Sequence, residues 1–246
     1  MYSSPQTQAN SILKSINELS PSDAKNQLMI ASLKNKAKAL LKIDAAGSYV
    51  VLGALECIER HIEKSREYHE KALNIRPNDI WAIMNYATSL EKLGFYQESI
   101  SLAEKAFSLA TMDMDILNAL IVYSAKAGAM QKANILLSEW DKRSPEQPHR
   151  LSQTINGMAD ILSKDMITDS QSLRFFDTAI SILHKYQVCF REVEFSCWDN
   201  TVNVLLHVDS SIDNLSNLNI ELAESLACEN FIPSLSKSIS FIYVPE

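Results

Sequence analysis

The sequence predicts a mainly α protein: a solenoid of helical hairpins followed by a small ββαβ module. Three observations lead there. Gly94 and Gly128 lie 34 residues apart, each flanked by stretches of helical apolar spacing. Only 5 Gly and 7 Pro occur among 246 residues, too few for a turn-rich β fold. From about Val188 onward, helical spacing gives way to alternation of apolar and polar residues.

Laid out in blocks of 34, the chain aligns over 46–79, 80–113 and 114–147. Ser65, Ser99 and Ala133 form a column of small residues, and Tyr68, Leu102 and Leu136 an apolar one. Ala72 and Ala106 share a column with Trp140, and Pro77 and Pro145 close the outer blocks where Thr111 closes the middle one. Two antiparallel helices per block account for these columns. Small side chains allow the helices to approach, and glycine supplies the left-handed residue that ends the first helix. A single hairpin cannot bury its apolar face, so stacked neighbours build one continuous core.

Ile80 to Asp113, with Ala87, Leu90, Gly94, Tyr96, Glu98-Ser99-Ile100 and Lys105-Ala106, resembles a tetratricopeptide repeat (TPR). Block 114–147 resembles it through Leu117, Leu120, Gly128, Ala133 and Pro145. Block 46–79 does so through Tyr49, Leu52-Gly53, Ser65, Lys71-Ala72-Leu73 and Pro77, with Arg60 in place of the turn glycine. The resemblance implies a non-enzymatic scaffold or adaptor that holds a protein or peptide partner on a concave surface lined by the first helix of each repeat. By column that surface comprises Val50 and Ala54, then Trp81, Met84, Asn85, Thr88 and Lys92, then Asp115, Asn118, Val122 and Lys126. TPR domains that grip a chaperone's terminal carboxylate use Lys, Asn and Arg there. Only Asn85 fits that set, so Trp81, Met84 and Val122 point instead to an amphipathic helix or extended apolar peptide. The alternatives are that Trp81 and Met84 belong to the inter-repeat core, or that the chain's own N-terminal helix fills the groove.

The array is expected over 23–187, after an N-terminal segment 1–22 expected to be partly flexible. One helix is expected at about 23–43, with Leu28, Leu33, Ala37, Leu40 and Leu41 on its apolar face, and a further pair at about 149–163 and 170–186. The remaining 188–246 reads as the ββαβ module. Val193, Phe195 and Cys197 alternate toward the turn pair Asp199-Asn200, and Val202, Val204, Leu206 and Val208 alternate back. Asp209-Ser-Ser211 caps a helix with Ile212, Leu215, Leu218, Leu222 and Leu226 on one face, and Ile239, Phe241 and Tyr243 form the last strand.

The net charge of -7 and pI near 5.3 argue against nucleic acid, because the densest basic stretch, Lys34, Lys36, Lys38 and Lys42, reads as a solvated helix face. The four cysteines lack Cys-x-x-Cys spacing, and no zinc pattern, phosphate loop or nucleophile elbow is present, so neither metal nor cofactor is expected. His61 beside Glu59 reads as an exposed helical pair, and His207 as a cross-strand partner of Glu194. No signal peptide or membrane span is evident, which implies a cytoplasmic chain. Two other function classes fit the sequence. An acidic chain with a tail module suits an antitoxin or immunity-type inhibitor that neutralises a basic toxin by surface complementarity. A small enzymatic or ligand-binding activity in the tail would need a polar pocket between Glu194, His207 and Tyr243.

Overall fold

The computed structural model describes residues 5–19, 26–228 and 233–245. Among them are twelve α-helices and, near the C-terminus, a sheet of three strands. The chain is therefore mainly α with a small α/β module. It forms two compact units, Met1–Ile116 and Leu117–Glu246.

In the first unit, α1 (Pro5–Asn17) and α2 (Gln27–Ala39, extended by a 3-10 turn at Leu40–Lys42) precede two helical hairpins. These are α3 (Ala45–Ile58) with α4 (Ile62–Ile75), and α5 (Ile80–Lys92) with α6 (Tyr96–Leu109). Helix α7 (Met114–Lys126) crosses the division between the units, and α8 (Met130–Arg143) follows it. The second helices α4, α6 and α8 start at Ile62, Tyr96 and Met130, repeating the 34-residue spacing of Gly94 and Gly128. The first helices are capped by a column that the sequence reading passed over. Asp44 accepts from the Gly47 N–H, Asp79 from Trp81 and Ala82, and Asp113 from Asp115 and Ile116.

The turns between paired helices share one backbone geometry. Gly94 and Gly128 have φ of 87° and 84°, and Arg60, in the same column, has φ of 62°. The N–H one residue further on bonds back to the helix in each case, His61 to the Glu56 carbonyl at 2.9 Å, Phe95 to Leu90 at 2.8 Å and Ala129 to Ser124 at 2.9 Å. Arg60 carries a Cβ into this strained conformation, and its Nη1 donates to the Lys92 carbonyl at 2.6 Å, which offsets part of the cost. The small-residue column is buried as its spacing requires, with Ser65, Ser99 and Ala133 each at most 1 % exposed. Where α3 meets α4, a Cβ on Gly53 would lie 2.6 Å from the His69 ring, so glycine is what lets these helices touch.

Three N-terminal expectations change. Residues 5–17, read as part of an N-terminal segment, form α1, and its Ala9, Leu13 and Ile16 join the core. Helix α2 buries Ile30, Leu33, Ala37 and Leu40, while Leu28 is 85 % exposed and Leu41 lies at the surface. Ile30 supplies the turn of the stripe for which Leu28 is out of phase. Both helices pack on α3, placing them where a further hairpin ahead of block 46–79 would stand.

The second unit carries α9 (Ser152–Lys164), α10 (Asp169–Lys185), strands β1 (Phe190–Trp198) and β2 (Thr201–Val208), α11 (Ile212–Cys228), α12 (Pro233–Ser238) and β3 (Ile239–Pro245). The sheet runs β1-β2-β3, antiparallel then parallel, with α11 in the crossover. Asp199 and Asn200 form the hairpin turn with φ of 50° and 57°, as that residue pair predicts. Val202, Val204, Leu206 and Val208 are fully buried. Their face packs on α9 and α10: Phe176 of α10 stacks on Phe195 and meets Phe241 edge-on, and the Tyr243 hydroxyl donates to the Ala179 carbonyl at 2.6 Å. The sequence placed a boundary at 188, but this face needs α9 and α10 to cover it, so the module shares a unit with them. On α11 the buried stripe is Leu215, Leu218 and Leu222, and Ile212, expected on it, is 76 % exposed at the first turn.

Candidate interaction surface

The first helices of the hairpins were expected to line the binding face, and of these α5 carries the full expected stripe at or near the surface. Its Ala82, Ile83, Tyr86, Ala87 and Leu90 are buried. On the other side Trp81, Met84, Asn85 and Thr88 are half-buried and Lys92 is exposed, a stripe at helical spacing. Asn85 Nδ2 donates to the Trp81 carbonyl at 2.7 Å and Thr88 Oγ1 to the Met84 carbonyl at 2.8 Å. These bonds fold the polar side chains along the helix and leave a low, mixed surface. Trp81 also packs against the core formed by α1, α2 and α3, so the core alternative holds for part of its ring.

Helix α3 cannot contribute as expected. Val50 is fully buried in that core, and Ala54 is half-buried against it. The reason is that α1, α2, α4 and α5 all pack on α3, so nearly every face of it is occupied. Val50 and Ala54 thus face packed neighbouring helices and not an open surface. Between α1 and α2 an open depression is lined by Gln8, Ser11 and Ile12 of α1 and by Lys36, Leu40 and Ile43.

On α7, Asp115 is exposed and Val122 and Lys126 are half-buried. Asn118 is committed internally: its Oδ1 lies 2.9 Å from Nε2 of His149, whose ring meets Trp140 edge-on at 5.0 Å. Burial lowers the His149 pKa, which keeps the ring neutral and able to donate through one nitrogen.

The polar clusters elsewhere have structural partners. Glu56, Glu59 and His61 bring three possible metal-binding atoms together, but Lys34 of α2 already supplies a cation. Its ammonium lies 2.5 Å from Glu56 and also pairs with Glu59, while His61 Nδ1 sits 2.7 Å from Glu56. Burial pushes the Glu56 carboxyl up, yet the Lys34 and His61 hydrogen bonds outweigh it and hold it below the ordinary range. Lys34 is therefore an internal ion-pair partner and not part of a solvated basic face. His69, fully buried, stacks on Tyr86 at 4.9 Å with its Nε2 2.9 Å from the Ser89 hydroxyl.

In the sheet, His207 Nε2 lies 3.3 Å from Glu194, the expected cross-strand pair, reached diagonally because Glu194 stands opposite Leu205. Tyr243 does not join them. It stands opposite Leu206 on the buried face, so the pocket that a tail-borne activity would need between these three residues is not formed. Among the described residues no helix is long and apolar enough to cross a membrane. No protein-family model matches the chain, and no curated protein sequence matches it significantly.

Proposed function

We propose that the chain is a non-enzymatic scaffold or adaptor of the TPR kind, binding an apolar helical or extended segment of a partner protein through the outer stripe of α5. The observation that carries this reading is the run of Trp81, Met84, Asn85, Thr88 and Lys92, half-buried to exposed on one helix face. It joins an aromatic edge and a pliable thioether to polar groups that can fix a peptide's register. The 34-residue spacing of hairpins, the Asp caps and the shared left-handed turns support the repeat assignment. A cytoplasmic location fits free, partly exposed cysteines.

The test uses a photo-crosslinking residue at Met84 in the source cell, with the exposed Ser101 of α6 as control. The captured partner is purified and its affinity measured against Met84→Glu and Lys92→Glu. A partner caught only from position 84, with binding weakened about tenfold or more by Met84→Glu at unchanged melting temperature, is the expected result. Equal capture from both positions, or undiminished binding by both variants, rejects the α5 surface.

A further inference from the structure

We propose that the free edge of β1 is a second docking site, which takes an extended peptide segment alternating basic and apolar residues as a fourth strand. The two edges of the sheet differ. On β3, the side-chain amide of Asn219 from α11 pairs with both backbone groups of Tyr243, donating to its carbonyl and accepting from its N–H, each at 2.9 Å. At Tyr243 that edge is occupied by a side chain acting as a strand would. On β1 no side chain pairs with the outward backbone groups in this way among the described residues.

Hairpin geometry fixes which groups β1 leaves open. A two-residue turn makes the flanking pair, Trp198 and Thr201, hydrogen-bonded to each other. Bonded and non-bonded pairs then alternate, so Ser196, Glu194 and Glu192 face β2 with their amides. The N–H and C=O of Val193, Phe195 and Cys197 point the other way, and none bonds to another backbone group among the described residues. The same three side chains lie on the inner face and are only half-covered or exposed, although their neighbours Val202, Val204 and Leu206 are fully buried. Both the ladder and the apolar layer thus stop one strand short.

Charge selects the occupant. The outer face of β1 presents Glu192 and Glu194, both exposed. A strand laid beside them places alternate side chains next to these carboxylates, where lysine or arginine is favoured. Its other side chains cover Val193, Phe195 and Cys197, where apolar groups are favoured. A second copy of the chain would bring its own Glu192 and Glu194 to the same face, and each chain carries a net charge of -7. Trp198, 79 % exposed at the end of the edge, adds a flat surface for an apolar or cationic side chain.

The probe is a capped, labelled octapeptide alternating lysine and valine, followed by fluorescence anisotropy against the full chain. Controls are the same peptide with glutamate for lysine, and two peptides N-methylated on one or the other alternate set of residues. The lysine peptide is expected to bind, with the glutamate peptide and one of the two methylated peptides weakened about tenfold or more. The other methylated peptide retains its affinity, because its blocked amides face away from β1. Cys197→Pro removes an outward N–H without touching the β1–β2 ladder and should abolish binding. Glu192→Lys with Glu194→Lys should reverse the charge preference. Insensitivity to both methylations, or equal binding of the lysine and glutamate peptides, overturns the proposal even if Cys197→Pro does not fold. So does a dimer in sedimentation analysis that Cys197→Pro dissociates, which would assign the edge to a second copy.

Discussion

Acid should destabilise the first unit through one residue, His69. Its ring is sealed at 0 % exposure between α3 and α5, touching the Gly53 backbone, stacked on Tyr86 and joined to Ser89. Nδ1 has no partner among the described residues, so a second proton would be buried without an acceptor. Burial accordingly lowers its pKa from 6.5 to about 3. The folded value lies below the unfolded one, so the contribution to stability is complete above pH 6.5 and is lost as pH falls toward about 3. Between about pH 7 and about pH 5 the unfolded histidine takes up most of a proton while the folded one takes up almost none, a loss of about 2 kcal/mol. His69→Phe keeps an aromatic ring against Tyr86 and removes the titration. Its stability at neutral pH should fall by roughly 1 kcal/mol because Ser89 loses its partner. The assay is urea unfolding of both proteins at the two pH values, comparing how much each loses. The wild type should lose about 2 kcal/mol more than the variant on acidification. Equal losses would show that His69 is protonated in the folded protein, or can leave its site, and would refute the packing argument.

Three other expectations follow from the packing. Gly128→Ala puts a Cβ 2.6 Å from the Phe176 ring at a φ of 84°, so thermal unfolding should show a loss of about 2–4 kcal/mol. An unaltered midpoint would place the α7–α8 turn elsewhere. Asn219→Leu leaves both backbone groups of the buried Tyr243 unpaired and should destabilise by about 2 kcal/mol or more in urea. A loss within error would mean that solvent replaces the amide there. Asp44→Ala removes the cap of α3 and leaves Arg76 with only its 3.7 Å contact to Asp79, which should lower stability by about 1–2 kcal/mol. Arg76→Ala should then cost less in the Asp44→Ala background than in the wild type, and equal costs in urea unfolding would refute the Asp44–Arg76 pairing.

Much of the architecture was readable because periodic signals report it directly. The 34-residue spacing located the paired helices, and the alternation around Asp199-Asn200 gave the hairpin with its buried face in the correct phase. The N-terminal helix α1 was missed because its stretch carries only Ala9, Ile12, Leu13 and Ile16 among polar residues, a sparse stripe that gains its meaning from packing on α3. Val50 was misplaced for the same reason. A column argument tells which side of a helix faces inward in an interior repeat, and it cannot show that two further helices cover the opposite side. The α5 stripe was legible as a set of positions, whereas the capture of Asn118 by His149 depends on a loop that returns 31 residues later. The Asp cap column was present in the sequence as Asp44, Asp79 and Asp113, and could have been found by aligning helix starts instead of turn glycines.

The Asn219 clamp on Tyr243 limits how the sheet can be used. A sheet with two open sides can be threaded into an endless stack, each molecule passing the pattern to the next. Here one side is obstructed at Tyr243, so a strand arriving there meets a ladder position already taken. The same asymmetry that leaves the β1 side for a guest works against an endless stack.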